Sequence, residues 1–317
     1  MTSVYIGFYA YLGHNQEISK IPGLVGSVPD ETQEGDLIYT IEKDGALQTF
    51  CAGQTAVDVS ERISPIEGDE QWMQLLIARL ASTSTDHELA IALPITAWED
   101  RLQIQERLLS SSYHVHPFGG VPIPVKLQHL SLYPAITAAF YDLHLQLVDE
   151  ELQPRNTELL DGRLTLLVLV GSRQTEWILA RGMELVKGGI LYCGISTVQL
   201  EVKEFYYHKS GKSLLPADAD AALHTHDVEI DGKYIPVDKQ IETGIEALGA
   251  TLRRDIEEIR AYEGADYVFL AGEGITFVDR ETIQQLVQMG VRVVDDPEQA
   301  ILRGLDVLQR LVGDADE

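Results

Sequence analysis

A chain of 317 residues, 45% apolar and 23% charged, has the composition of a soluble globular protein with one large domain or two lobes. Its net charge of −26 excludes the basic footprint that direct binding to nucleic acid or to an anionic membrane requires. It implies an acidic, solubilising surface, and for DNA only a route through a basic adaptor protein. Cys51 and Cys193 make neither a disulfide framework nor a zinc knuckle, as expected in a reducing cytoplasm. The start, Met1-Thr-Ser-Val-Tyr-Ile-Gly7, lacks the basic flank and apolar core of a signal peptide. No window reaches the roughly 18 apolar residues of a membrane span, so the expected location is cytoplasmic, with no membrane partner.

The elements follow in order. Residues 4–11 read as a short apolar strand, with turn chemistry at Gly13-His-Asn15. Residues 36–41 and 48–52 flank Lys43-Asp-Gly45 and predict a hairpin with Asp-Gly at its turn. Residues 70–80 place Trp72, Leu75, Leu76 and Leu80 on one helical face. Residues 88–93 run as a strand into Pro94, residues 98–109 are amphipathic, and residues 121–130 alternate as a strand does. Residues 135–147 are apolar on most sides and predict a buried helix.

The polar stretch 149–162, with Pro154 and Asn156, reads as a linker. A strand pair over 164–185, a helix near 196–207 and an Asp- and Ala-rich loop over 210–221 follow. Residues 239–262 predict a long helix, 267–270 a buried strand, 281–289 a helix, and 291–294 a strand. A closing helix over 297–311 has Pro in its first turn. Strands and helices thus alternate in two halves, each opening with a strand–turn–strand unit. The expected class is α/β, with mixed sheets covered by helices.

The stretch from Leu164 to Met183 carries the most chemistry. A buried apolar strand meets a turn opened by Gly171, the shape of a loop that wraps an anion with backbone N–H groups. Gly171, Ser172, Gln174 and Thr175 offer N–H and hydroxyl donors. Gly272 and Gly274, flanking Glu273, permit close approach of backbone to a ring or ribose.

Six segments in this order resemble the ParM/StbA group of actin-like proteins, which includes plasmid-segregation actins and archaeal relatives. Ile6-Gly-Phe-Tyr-Ala-Tyr-Leu-Gly13 stands where the family's first phosphate hairpin starts, and Phe50-Cys-Ala-Gly-Gln-Thr-Ala56 resembles a family turn. Ala90-Ile-Ala-Leu-Pro94 resembles the family's Gly-Leu-Pro strand end, and 171–177 its second phosphate loop. Leu270-Ala-Gly-Glu-Gly274 resembles the glycine turn along adenosine. Asp296-Pro-Glu-Gln-Ala-Ile-Leu-Arg-Gly304 resembles the closing helix and is the most persuasive match.

The resemblance implies two actin-like, ribonuclease-H-like lobes around a central nucleotide cleft. Domain I would span 1–155, with the closing helix 297–317 packed back on it, and domain II 156–296. It implies ATP or GTP with magnesium as cofactors, bound at Gly13, Gly171, Ser172, Gln174, Thr175, Glu176, Gly272, Glu273 and Gly274. It also implies self-association into filaments or oligomers, with an adaptor linking them to DNA.

The same alignment finds the family's acids replaced. Tyr9 stands for the first hairpin's Asp, Tyr11 for a Gly of that turn, and Gln16 for the phosphate-reading Lys. Leu169 stands for the second loop's Asp, and Tyr133 before Pro134 for the water-orienting Gln. Magnesium wants hard oxygen ligands, and phosphoryl transfer in this fold relies on them. No catalytic residue and no metal ligand set is therefore predicted, and hydrolysis is expected to be impaired. Glu176 fits the place of a later family Asp. A chain that had lost the site altogether would bind no nucleotide and serve as an actin-fold scaffold. A sugar- or acetate-kinase-like enzyme would need the same missing aspartates.

Other signals recede. Lys209-Ser-Gly-Lys-Ser213 lacks the upstream glycine of a P-loop, Tyr206 standing in its place. His224 and His226, and His114 and His116, share strand-face spacing but lack the further ligands of a metal site. Gly-x-Ser-x-Gly does not occur.

Overall fold

A computed structural model describes residues 2–7, 9–14, 17–29, 31, 36–43, 45–59, 62–63, 69–81, 86–111, 113–117, 121–149 and 151–315. The first elements are β1 (Thr2–Ile6), β2 (Tyr9–His14), β3 (Glu17–Pro22), β4 (Val25–Gly26), β5 (Ile38–Lys43) and β6 (Ala46–Ala52). Next come α1 (Gln54–Val57), β7 (Arg62–Ile63), α2 (Asp69–Leu80), β8 (Asp86–Leu93), α3 (Arg101–Ser110), β9 (Tyr113–Pro117) and β10 (Ile123–Pro134). Then follow α4 (Ala135–His144), β11 (Leu145–Val148), β12 (Glu151–Pro154), β13 (Leu164–Val170), β14 (Thr175–Arg181) and β15 (Glu184–Leu191). After these come α5 (Ile195–Ser210), α6 (Pro216–Thr225), β16 (Asp227–Ile230), β17 (Lys233–Pro236) and α7 (Asp238–Glu263). The chain closes with β18 (Tyr267–Ala271), α8 (Arg280–Gln288), β19 (Val291–Val293) and α9 (Ala300–Ala315).

Contacts divide the chain into two compact units, each assembled from separate stretches. The first comprises Met1–Ile91, Thr96–Leu132 and Tyr206–Val237. Its sheet runs β3-β2-β1-β8-β10-β9-β5-β6-β4-β7. Residues 4–11, predicted as one strand, form parts of two: Ile6 pairs with Ala10, and the Gly7 N–H donates to the Tyr9 carbonyl at 2.9 Å. The hairpin of β5 and β6 forms as expected, with Gly45 at φ 82°; Asp44 lies outside the described residues. Helix α2 buries Leu75, Leu76, Ile77 and Leu80 completely and packs on β1, β5 and β9.

One expectation fails here. The Asp- and Ala-rich segment read as a loop contains α6, with Pro216 in its first turn. Its small side chains suit close packing: Ala217 and Ala221 join Leu24, Ile38, Cys51 and Val57 in one apolar cluster. His224 ends this helix and His226 caps it in the left-handed region at φ 63°, so the pair does not share a strand face.

The second unit comprises Ala92–Ile95, Tyr133–Phe205 and Asp238–Glu317. Its sheet runs β15-β14-β13-β18-β19, with β13, β18 and β19 parallel and β14 antiparallel to both neighbours. Strand β13 is central and buried from Thr165 to Val170, which explains its unbroken apolar run. The stretch read as a linker is instead the β11–β12 hairpin, followed by a helical turn that buries Leu159.

Helix α9 packs along α4, and one glycine sets their separation. A Cβ on Gly304 would lie 1.7 Å from the Ala138 carbonyl oxygen, so only glycine permits this approach. One turn of α4 further on, buried Asp142 receives Arg303 bidentately, Nε at 2.9 Å and Nη2 at 2.8 Å. Arg155, just after β12, adds a second guanidinium at 2.9 Å. Burial pushes the Asp142 carboxyl up, opposed by the hydrogen bond and charge of Arg303 and the charge of Arg155. Arg303 also donates to the carbonyls of Asp295 and Asp296, fixing the segment that leads into α9.

Gly304→Ala should therefore force the two helices apart, costing about 1–3 kcal/mol by overpacking. Arg303→Met, which leaves Asp142 with one guanidinium, should cost about 3 kcal/mol, the low end for breaking a buried pair. Urea unfolding checks both, and an unchanged midpoint for Gly304→Ala contradicts the packing described.

Candidate functional site

Strands β13 and β14 meet at a turn closed by the Gly171 N–H, which donates to the Gln174 carbonyl at 3.0 Å. The start of α5 holds the turn from one side. The Gly171 carbonyl accepts the Ile195 N–H at 3.2 Å and the Ser172 carbonyl the Ser196 N–H at 2.8 Å. The Arg173 carbonyl accepts the Ser196 hydroxyl at 2.9 Å. These bonds satisfy N–H groups that a helix start otherwise leaves open. They also orient three consecutive peptide planes. In a trans peptide the N–H points opposite to the carbonyl of the same plane, so the N–H groups of Ser172, Arg173 and Gln174 point away from α5. Among the described residues none of the three donates to a backbone carbonyl. The turn is a row of three outward donors, the arrangement that suits an anion.

The glycine turn after β18 lies directly on this loop. Gly272 adopts φ 104°, and a Cβ there would stand 2.3 Å from the Val170 carbonyl oxygen; one on Gly274 would meet Val170 Cγ1 at 2.5 Å. The Gly272 N–H donates to the Pro297 carbonyl at 2.8 Å, which ties the turn to the segment before α9. Glu273, in the 3-10 helical turn Glu273–Phe277, is fully buried, and its carbonyl accepts the Thr276 hydroxyl at 2.7 Å. Two segments about a hundred positions apart in sequence, 171–176 and 272–274, are thus in backbone contact.

The side chains narrow what the loop can do. Thr175 is buried and donates its hydroxyl to the Cys193 carbonyl at 2.8 Å, and the Gln174 amide donates to Glu176 Oε1 at 3.1 Å. Of the donors nominated from sequence, these two are engaged within the protein, leaving the backbone N–H row and buried Ser172. Glu176 is 4% exposed; its Oε1 also accepts the Ile95 N–H at 2.8 Å, while Oε2 has no hydrogen-bond partner among the described residues. Burial pushes the Glu176 carboxyl up, opposed by Ile95, Gln174 and the nearby Ile136 N–H at the start of α4.

Leu169, at the place of the family's Asp, is 3% exposed in the sheet. Tyr9 and Tyr11, aligned with the first hairpin's turn, lie instead in β2, past the turn that Gly7 closes. Neither the turn nor its flanking strands supply an acid. Gly13 is also in β2, paired with Ser3 and Ile18, in the other unit from the two loops; a Cβ there would make ordinary contact with Ser3 at 3.7 Å. Gln16 lies outside the described residues. Tyr133 and Pro134 end β10 immediately before α4.

Among the described residues no group of three or more His, Cys, Asp or Glu side chains is placed to hold a metal ion. The one acid of the second loop is buried and occupied by N–H donors. The residues present fit phosphate oxygens on backbone N–H groups and do not fit a magnesium shell. Three contributors were not apparent from sequence: Ile95, Ser196 and Arg173. Ser196 acts across the 23 positions that separate it from Arg173, and no local pattern announces such a contact.

No protein-family model matches the sequence, and no curated protein matches it. Solved structures match over nearly the whole length. A non-polymerisable quadruple mutant of pCBH ParM is 15% identical, with a TM-score of 0.77 and 98% of each chain covered. A 15-stranded ParM filament from Clostridium botulinum is 13% identical with a TM-score of 0.72, covering 98% of this chain and 99% of that one. The archaeal actin homologue Ta0583 is 17% identical with a TM-score of 0.68, covering 98% and 100%, and has also been solved in complex with ADP. The chain has a ParM-type actin-like fold.

The Glu176 environment makes a pH prediction. Its folded-state value lies above the ordinary glutamate value of about 4.3, so its contribution to stability is fully present below that value. It is lost as pH rises through the folded value. Wild-type stability in urea, measured relative to Glu176→Gln, should fall as pH rises from about 4 toward neutrality. A difference that does not change with pH contradicts the assignment.

Proposed function

We propose that this chain is an actin-like, cytoskeletal or segregation-type protein that binds a nucleotide and assembles into filaments, with impaired hydrolysis. The observation that carries the nucleotide reading is the row of N–H groups at Ser172, Arg173 and Gln174, set beside the Gly272–Gly274 turn. Phosphate oxygens on that row would take backbone hydrogen bonds, with glycine backbone alongside for the rest of the nucleotide. ATP, GTP or their diphosphates suit it, and the ADP complex of the archaeal actin homologue supports the class of ligand. Self-association draws its support from the ParM filament of the same fold. A cytoplasmic location and a basic adaptor to DNA complete the proposal, the adaptor because a surface of charge −26 offers DNA little itself.

Nucleotide triphosphate chemistry in such a site needs a divalent cation to bridge phosphate oxygens and an oriented water. The chain's own contribution at the expected places is a buried leucine and a protonation-prone glutamate already bonded to Ile95 and Gln174. Hydrolysis is accordingly slow.

A second reading, a scaffold that keeps the architecture and binds no nucleotide, is favoured by one observation. The Thr175 hydroxyl and Gln174 amide are turned inward to protein acceptors. Titration calorimetry with ATP and ADP separates the two readings. Saturable binding, light scattering that grows with nucleotide, and phosphate release below about one per minute are the expected results, far under typical enzyme turnover. No heat at millimolar nucleotide leaves the scaffold reading standing, and rapid, chelator-sensitive phosphate release contradicts impaired hydrolysis.

A further inference from the structure

We propose that Arg173 neutralises the phosphate charge of a bound nucleotide in place of a divalent cation, so that binding at the Gly171 loop is independent of metal. The proposal rests on the nucleotide-binding reading and specifies how that site handles charge.

Three observations support it. First, Arg173 occupies the middle of the turn, and its own N–H is the central one of the three turned away from α5. A phosphate on that row would sit against the residue that carries the guanidinium. Second, Arg173 is exposed, and among the described residues its side chain makes no ion pair or hydrogen bond. Arg155, Arg163, Arg254, Arg292 and Arg303 each meet a carboxylate. In a chain with 50 acidic and 24 basic residues, an arginine held apart from carboxylates has its charge available to an external anion. Third, the local acids do not oppose it. Leu169 is neutral, and Glu176 is buried, with its carboxyl pushed toward the neutral form and accepting N–H groups.

The chemistry is consistent. Magnesium bound to a nucleotide offsets phosphate charge and is itself held by carboxylates, whereas this loop's one acid, Glu176, is buried and bonded to N–H donors. A guanidinium offsets the same charge with a planar fork of donors matched to phosphate oxygens, and needs no carboxylate to hold it. The substitution preserves binding and forfeits the metal's part in hydrolysis.

The test is titration calorimetry of the full chain with ADP, ATP and adenosine, in magnesium and in excess chelator. Wild-type affinity for ADP should agree within about threefold between the two conditions. Arg173→Gln should weaken ADP and ATP by about tenfold or more while leaving adenosine unchanged, and Arg173→Lys should recover part of the loss. An unchanged melting temperature shows that the exposed substitution leaves the fold intact. Wild-type binding that collapses in chelator, or an Arg173→Gln variant that binds ADP normally, overturns the proposal while sparing the nucleotide reading. Wild-type protein that binds no nucleotide in either condition overturns both.

Discussion

Peptide planarity, applied to three residues, governs what this molecule offers a ligand. The carbonyls of Gly171, Ser172 and Arg173 are claimed by the first residues of α5, and a trans peptide then has no choice about where the next N–H points. The helix start gains acceptors it would otherwise lack, and the loop gains an outward row of donors. One set of hydrogen bonds therefore both stabilises the fold and sets the row of donors. It also makes the surface insensitive to side-chain identity, since the donors belong to the backbone.

The cradle is held by contacts that run through the second unit to its last helix. Gly304 lets α9 touch α4, and Asp142 locks Arg303 across that contact. The segment so fixed offers the Pro297 carbonyl to the Gly272 N–H, and Gly272 and Gly274 then lie against Val170 and Gly171. On the other side α4 begins beside Glu176, whose bond to Ile95 secures the first turns of β14. Pro297, Arg303 and Gly304 together hold this frame. Those residues maintain geometry, which the fold needs whether or not phosphate is cleaved. Leu169 suits its place in that frame, since a buried leucine packs better there than an unpaired aspartate would.

Much of the architecture was legible because periodicity reports burial. The unbroken apolar run of β13 and the face of α2 announce themselves, and Asp-Gly marked the β5–β6 turn. The failures share a cause. Alanines such as Ala217 and Ala221 say little about periodicity, and α6 was read as a loop although they pack tightly. Among the described residues the β11–β12 hairpin forms its own two-stranded sheet and none of its strand residues is fully buried, so its polar sequence resembled a linker. In the candidate site, Gly171, Gly272 and Gly274 were legible as turns, whereas Gly13 lies in β2. Which donors remained available was not legible, because the engagement of Thr175 by Cys193 and of Arg173 by Ser196 spans 18 and 23 positions. The first hairpin's turn falls within the stretch expected for it, but ahead of the tyrosines aligned with it, where the Gly7 N–H bonds the Tyr9 carbonyl.

On the reading proposed above, this actin-like fold holds phosphate on backbone N–H groups of the Gly171 turn without the acids that would hold a metal. The most direct test of that account is amide chemical-shift mapping of the isotope-labelled chain during ADP titration in the presence of chelator. The account predicts saturable shifts at the N–H groups of Ser172, Arg173 and Gln174 with the Glu176 amide little changed. Silence at those three amides, or shifts that appear only when magnesium is added and centre on Glu176, would contradict it.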